Sequence, residues 1–194
     1  MPTGVALRDV RQQLFDAAER VLRRDGAGGL TSRAVTAEAG VAKGVLHRHF
    51  TDFDDFLAAL VEDRIARLSH ESGALHASAG TATVVANLAA ALTSIFGSIA
   101  LNVVALIIAR DELRARLRRD RPTGIPLLTE AATMLASYLK AEQDLGRLSP
   151  RADADTLALT LIGTSHLVFA GHDDTPPDPA EVEKLVNSVL TGAA

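Results

Sequence analysis

Along the first twenty-five residues the apolar positions Val10, Leu14, Ala17, Ala18, Val21 and Leu22 fall three or four apart, which lays one stripe along an α-helix. The stripe stops at Asp25-Gly26, where a glycine supplies a left-handed helix end. A second, short helix is expected after Thr31 or Ser32 as N-cap, carrying Val35 and Ala39 inward and ending at Gly40. A third is expected from near Ala42 to about Phe50, with Val45 or Leu46 and Phe50 on its inner side. Three short helices within fifty residues, with glycine at the second break, is the spacing of a helix-turn-helix unit.

Asp52 stands where a fourth helix needs its cap. Asp54 and Asp55 follow in the first turn, where carboxylates complement the helix dipole and Asp55 is placed to close a capping box. This helix is expected from about Phe53 to Ser72, burying Phe56, Leu57, Leu60, Ile65 and Leu68, with a small, polar loop from Gly73 to Thr81 after it. Further helices are expected over Ala82 to Ile99, Leu101 to Arg110, Asp111 to Asp120, Pro126 to Gln143, Asp153 to Ala170 and Pro179 to Leu190. Pro122, Gly124 and Pro126, the turn Asp144 to Pro150, and a Pro-rich acidic loop from Gly171 to Pro179 separate them. The fold class is therefore all-α.

Composition narrows the function classes. A chain of 194 residues, 47% hydrophobic and 23% charged, can bury a sizeable core. With no cysteine there is no disulfide framework, thiolate nucleophile or Cys-based zinc site, so a cytoplasmic protein is expected. The longest greasy stretch, Ile99 to Ala109, contains Asn102 and is far short of a membrane span, so no membrane partner is expected. The net charge of −4 divides unevenly. Residues 1–50 hold eight Lys/Arg and five Asp/Glu, a net of +3, and the remaining residues hold 12 and 19, a net of −7. A cationic head on an acidic body suits a nucleic-acid reader.

The stretch Leu30 to Leu60, LTSRAVTAEAGVAKGVLHRHFTDFDDFLAAL, combines Thr-x-Arg before the second helix, Ala-Gly-Val at the turn, Gly within the third helix and the ending Arg-His-Phe. Over roughly its full length it resembles the DNA-binding signature of the tetracycline-repressor (TetR) family. The resemblance implies a three-helix DNA-binding domain over 1–52 and a helical bundle for ligand binding and dimerisation over 53–194. It implies a ligand-responsive regulator, a repressor released from a palindromic double-stranded operator by a small molecule, with no cofactor. With the third helix in the major groove, Lys43, Gly44, Val45, His47 and Arg48 face bases, while Thr31, Ser32, Arg33 and His49 fix register on phosphates. Three positions depart from the family pattern: His47 stands for a usual Tyr, Phe53 for a usual Lys, and Ala42 for a usual Ser cap. The first two alter expected phosphate contacts.

Reading a palindrome requires a homodimer. The family builds it from its last two long helices, which here offer Leu157, Leu161, His166, Leu167, Val182, Leu185, Val186 and Val189, either as interface or as internal core. The effector, of unidentified chemistry, is expected among Phe96, Ile99, Asn102, Leu106, Met134, Leu135, Tyr138 and His166. Asn102 and His166 stand out, since a polar group within an apolar helix must find a partner in ligand, water or dimer mate. A helical interaction module without DNA binding is an alternative, and a small helical enzyme a weaker one. His172-Asp173-Asp174 sits in a Pro-rich loop with no second ligand pair, His70 and His76 are poorly spaced for a shared metal, and no catalytic constellation is visible.

Overall fold

The computed structural model describes residues 4–97, 99–172 and 175–191, and those residues form ten helices and no strand. They are α1 Gly4–Gly29, α2 Ser32–Glu38, α3 Gly44–His49, α4 Phe53–Ala77, α5 Val84–Phe96, α6 Ala100–Ala109, α7 Asp111–Asp120, α8 Leu128–Asp144, α9 Ala154–Ala170 and α10 Pro179–Thr191. The expected order holds, with two corrections. Helix α1 begins at Gly4 rather than Val10, and α4 continues through Gly73 to Ala77, so much of the expected loop is helix. Gly26, at φ 67°, breaks α1 where the Asp25-Gly26 stop was expected. Among the described residues, no single helix is long and apolar enough to cross a membrane.

The chain clusters into two compact units, residues 1–63 with 102–123, and residues 64–101 with 124–194. The division differs from a simple cut at residue 52: the first half of α4 and nearly all of α6 with α7 join the head.

In the first unit the α1 stripe Leu14, Ala17, Ala18, Val21 and Leu22 is buried, and Val35, Leu46, Phe56, Leu57 and Leu60 are fully buried with it. Phe15, Phe50 and Phe56 form an aromatic knot, with centroids 6.1 Å (Phe15–Phe50), 5.7 Å (Phe15–Phe56) and 5.1 Å (Phe50–Phe56) apart. Helix α2 ends in a Schellman turn: Gly40, at φ 68°, gives its N–H to Ala37 O, and Val41 N–H reaches Thr36 O. Within α6, Asn102 donates to the Leu22 carbonyl of α1 at 3.0 Å.

In the second unit α8 packs on α9, and α10 packs on α5 and α9. Its polar centre is Tyr138, fully buried, whose hydroxyl donates to Glu142 at 2.5 Å and accepts from Asn87 Nδ2 at 3.0 Å. Burial and the bond to Glu142 push that hydroxyl up to about 12. Glu142, also fully buried, accepts the Gly80 amide and lies 3.4 Å from the Arg147 guanidinium. Asn87 donates further to the carbonyls of Ser78 and Thr81, tying the α4–α5 turn to the core. Asn87→Ala removes the donor shared by two carbonyls and a buried hydroxyl, and should destabilise this unit by about 1–3 kcal/mol. Tyr138 is the single tyrosine in a chain without tryptophan, so its fluorescence in a urea titration reads the loss directly; an unchanged midpoint would remove Asn87 from the list of supports.

Candidate functional site

The head presents one face of free cations. On α3, Leu46 and the following Phe50 are buried, while Lys43, Gly44, His47 and Arg48 are exposed and Val45 and His49 half-buried. Gly44, His47 and Arg48 recur at i, i+3 and i+4 and so share the outer side of the helix. Thr31 caps α2 by accepting the Ala34 amide at 3.1 Å, which leaves its hydroxyl hydrogen available for a phosphate; Arg33 beside it is exposed and Ser32 half-buried. Every residue expected to face DNA thus has accessible surface. The N-cap position of α3 is Lys43 rather than the expected Ala42, and no side chain caps the helix.

Four arginines of α1 are engaged within the same unit. Arg20 and Arg24 both pair with Glu38, at 2.7 and 2.8 Å, and Arg23 reaches Glu19 at 3.4 Å. Arg24 holds the Asp25 and Glu38 carboxyls below the usual range, with Arg20 adding to the effect on Glu38. Arg11 lies 4.5 Å above the Phe50 ring. Among the described residues, Arg33, Lys43 and Arg48 make no ion pair. The +3 of the head is therefore concentrated on the α2–α3 face.

Phe53 and its acidic neighbours are occupied within the same unit. Phe53 stacks on Phe56 at 5.7 Å, the Arg110 guanidinium lies 5.7 Å from its ring, and Arg110 pairs with Asp54 at 2.9 Å. Arg116 pairs with Asp52 and lies 3.9 Å from Asp55, and Arg121 pairs with Glu62. The capping box is shifted by one residue: Asp52 accepts the Asp55 amide at 2.8 Å, while the Asp55 carboxylate takes the Thr51 amide at 2.9 Å rather than that of Asp52. These arginines come from α7 and the residues that cap it at either end, which sequence proximity gave no reason to place beside α4.

The expected effector residues do not converge. Asn102 and Leu106 belong to the first unit, where Asn102 already has the Leu22 carbonyl as its partner and Leu106 is core. Ile99 and Leu135 are plain core, Tyr138 is committed to Glu142 and Asn87, and Phe96 meets His166 edge-on at 6.2 Å. Of the eight, Met134 lines open clefts, one beside Ser69, Ser72 and Glu130 and another beside Glu71, Ala90 and Ser94. His172 Nδ1–H donates to the Val168 carbonyl, 2.9 Å away; Asp173 and Asp174 lie outside the described residues.

The expected interface residues also divide. Leu157, Leu161, Val182 and Val186 are buried in the chain's own core, since α9 and α10 pack on α5 and α8. Leu167 is 73% exposed, Leu185 and Val189 are half-buried, and Leu159, missed in the sequence reading, is 64% exposed. The missed signal is that α9 is apolar on all sides, with Leu159, Gly163 and Leu167 four apart opposite its buried face.

Asp52 links this geometry to pH. The Asp55 amide, and after it Arg116, hold its carboxyl below the ordinary range. A lowered folded-state value means that the unfolded chain binds the extra proton, so the stabilisation is present above about pH 4 and is lost as pH falls further. Asp52→Asn keeps a cap but loses the charge. The stability gap between wild type and this variant, measured by urea unfolding followed by circular dichroism, should narrow as pH falls from about 6 to about 3; a constant gap would count against the charge.

Comparisons with known proteins agree with this arrangement. Residues 14–60 match the sequence profile of bacterial regulatory proteins, tetR family. A nicotine-responsive transcriptional repressor of the HTH type, HdnoR from Paenarthrobacter nicotinovorans, is 38% identical over 60 residues, and the match spans 31% of either chain, less than a third of that repressor. Among solved structures, a TetR-family member from Streptomyces coelicolor A3 is 26% identical with a TM-score of 0.61, over 93% of this chain and 97% of that one. The transcriptional regulator FadR from Bacillus subtilis, solved with stearoyl-CoA, is 19% identical with a TM-score of 0.66, over 94% of this chain and 99% of that one.

Proposed function

By residues 14–60 the chain belongs to the TetR family, and from that premise we propose that it is a homodimeric transcriptional repressor, released from a palindromic operator by a small molecule. The observation that carries the reading is the cluster of three exposed cations without an ion pair, Arg33, Lys43 and Arg48, on the face that also bears Thr31, His47 and His49. Residues 1–52 hold the DNA-reading elements and 53–194 the sensing and dimerising ones. The role is regulatory rather than catalytic, and it places the protein in the cytoplasm with DNA.

Lys43, Gly44, Val45, His47 and Arg48 read the major groove and Thr31, Ser32, Arg33 and His49 hold phosphates in this reading. Ligand control then acts by population shift: an effector that prefers the body conformation unfit for the operator lowers the bound fraction. The ligand-bound FadR, of the same fold, supports a small-molecule site in the body.

In a gel shift against the promoter beside its own gene, Arg48→Ala should cost about 1–3 kcal/mol of specific affinity. Arg33→Ala should weaken all sequences alike and lower the salt slope by about one. Arg20→Ala, whose side chain is already held by Glu38, should change little. No specific retardation at low salt from folded wild-type protein would sink the regulator reading.

Dimerisation is assigned to the outward stripe Leu159, Gly163 and Leu167 of α9 with Leu185 and Val189 of α10. Leu167→Glu buries a charge in such an interface and should give a folded monomer in analytical ultracentrifugation; an unchanged dimer would move the interface elsewhere.

A further inference from the structure

Two clefts in the second unit meet at one side chain. The α4 positions Ile65, Leu68, Ser72 and Leu75 follow a three-four-three spacing; Ile65, Leu68 and Leu75 are 5%, 5% and 8% exposed, an apolar seam interrupted by a serine. Ser72 is half-buried, and no hydrogen bond to it is found among the described residues. A hydroxyl in place of a large apolar group leaves room on the α8 flank of the helix. On one side a cleft of about 370 Å³ runs between α4 and α8, and on the other a cleft of about 320 Å³ runs between α4 and α5. Met134 lines both. An unbranched thioether is a floor that adapts to its occupant.

The polar lining is rich in acceptors, with the uncommitted Ser72 hydroxyl as a donor among them. Ser69 donates to the Ile65 carbonyl at 3.0 Å, Thr129 to Ile125 at 3.1 Å and Thr133 to Thr129 at 3.0 Å. Their hydrogens are used by the backbone, so lone pairs remain for a ligand. On the other side the Asn87 amide hydrogens serve Ser78, Thr81 and Tyr138. One carboxylate borders each cleft, Glu130 and Glu71, and no Lys, Arg or His lines either. A carboxylate or phosphate entering here would lose water, meet acceptors and face like charge. A protonated nitrogen on an apolar body meets the opposite conditions, with acceptors for its hydrogens and Leu68, Leu75 and Met134 for its carbons.

We propose that this seam is the effector site and that it takes an organic amine with an apolar body. The proposal rests on the regulatory reading above for what binding accomplishes, but not for the binding itself.

Met1 and Met134 are the two methionines of the chain, so carbon-13 labelling of the methionine methyls gives a single reporter on the cleft floor. Phenethylamine added to the full-length protein should move the Met134 methyl resonance, while 3-phenylpropanoate, with a carboxylate on a similar skeleton, should not. Ser72→Leu, which completes the apolar seam, should abolish the response. Glu71→Gln, at an exposed position where folding is not at stake, should weaken it about two- to fivefold, the range of an exposed charge pair. The site is overturned if the carboxylate moves Met134 as far as the amine does, if folded Ser72→Leu or Glu71→Gln responds like wild type, or if no straight-chain or aromatic amine of increasing length moves it. A gel shift with the same amine separates the two readings: Met134 movement with operator retardation unchanged keeps the site and overturns its regulatory role. Operator binding with a silent Met134 does the reverse.

Discussion

A helix that opens with Asp52, Asp54 and Asp55 gathers three carboxylates within four residues, a charge density that repels itself and any nearby phosphate until cations are brought to it. Arg110 and Arg116 supply them, Arg121 extends the row to Glu62, and Asp52 and Asp55 each also accept a backbone amide at the start of α4. The surrounding first unit depends on this arrangement. Phe53 stacks on Phe56 beneath Arg110, and Phe56 joins Phe15 and Phe50 in the knot that receives α1 and the end of α3. Asn102 closes the same unit from α6 by holding the Leu22 carbonyl of α1.

The same economy of charge explains the head's surface. Glu38 occupies two arginines and Glu19 a third, so most of the cationic side chains on α1 serve the fold. Arg33, Lys43 and Arg48, which make no ion pair among the described residues, lie around α3 and the start of α2, where Thr31 combines a helix cap with an available hydroxyl hydrogen. A net charge of −4 for the chain is compatible with nucleic-acid recognition because the relevant quantity is the local distribution rather than the sum. In the body the polar groups are disposed differently. Tyr138, Glu142 and Asn87 satisfy one another in the interior, whereas the hydroxyls flanking Ser72 turn acceptors toward open clefts.

Much of this was legible in the chain. Periodicity and capping residues located all ten helices, because an apolar stripe and a Ser, Thr or Asp before it are local properties. Thr31 and Asp52 cap as expected, Asp153 proves to cap the helix it opens, and Gly40 and Gly146 take left-handed turns. The outward side of α3 was legible for the same reason, since α3 is a short helix whose inner side is set by Leu46 and Phe50. The shortfalls are at positions that sequence distance conceals. The start of α1 and the end of α4 carry no stop signal strong enough to place them, and Gly73 is absorbed within a helix that tertiary contacts extend.

The amino-acid order by itself determined an all-helical chain, the helix-turn-helix and the net positive charge of the first fifty residues, because each depends on neighbours within a few turns. Tertiary structure alone decided which arginines neutralise the first turn of α4, that residues 102–123 join the head, and that Asn102 serves α1 rather than a ligand. It also sorted α9, apolar on all sides, into a buried face with Leu157 and Leu161 and an outward one with Leu159 and Leu167. Partners in these choices lie up to eighty residues apart, as Leu22 and Asn102 do. Their proximity is a property of packing that no local pattern encodes.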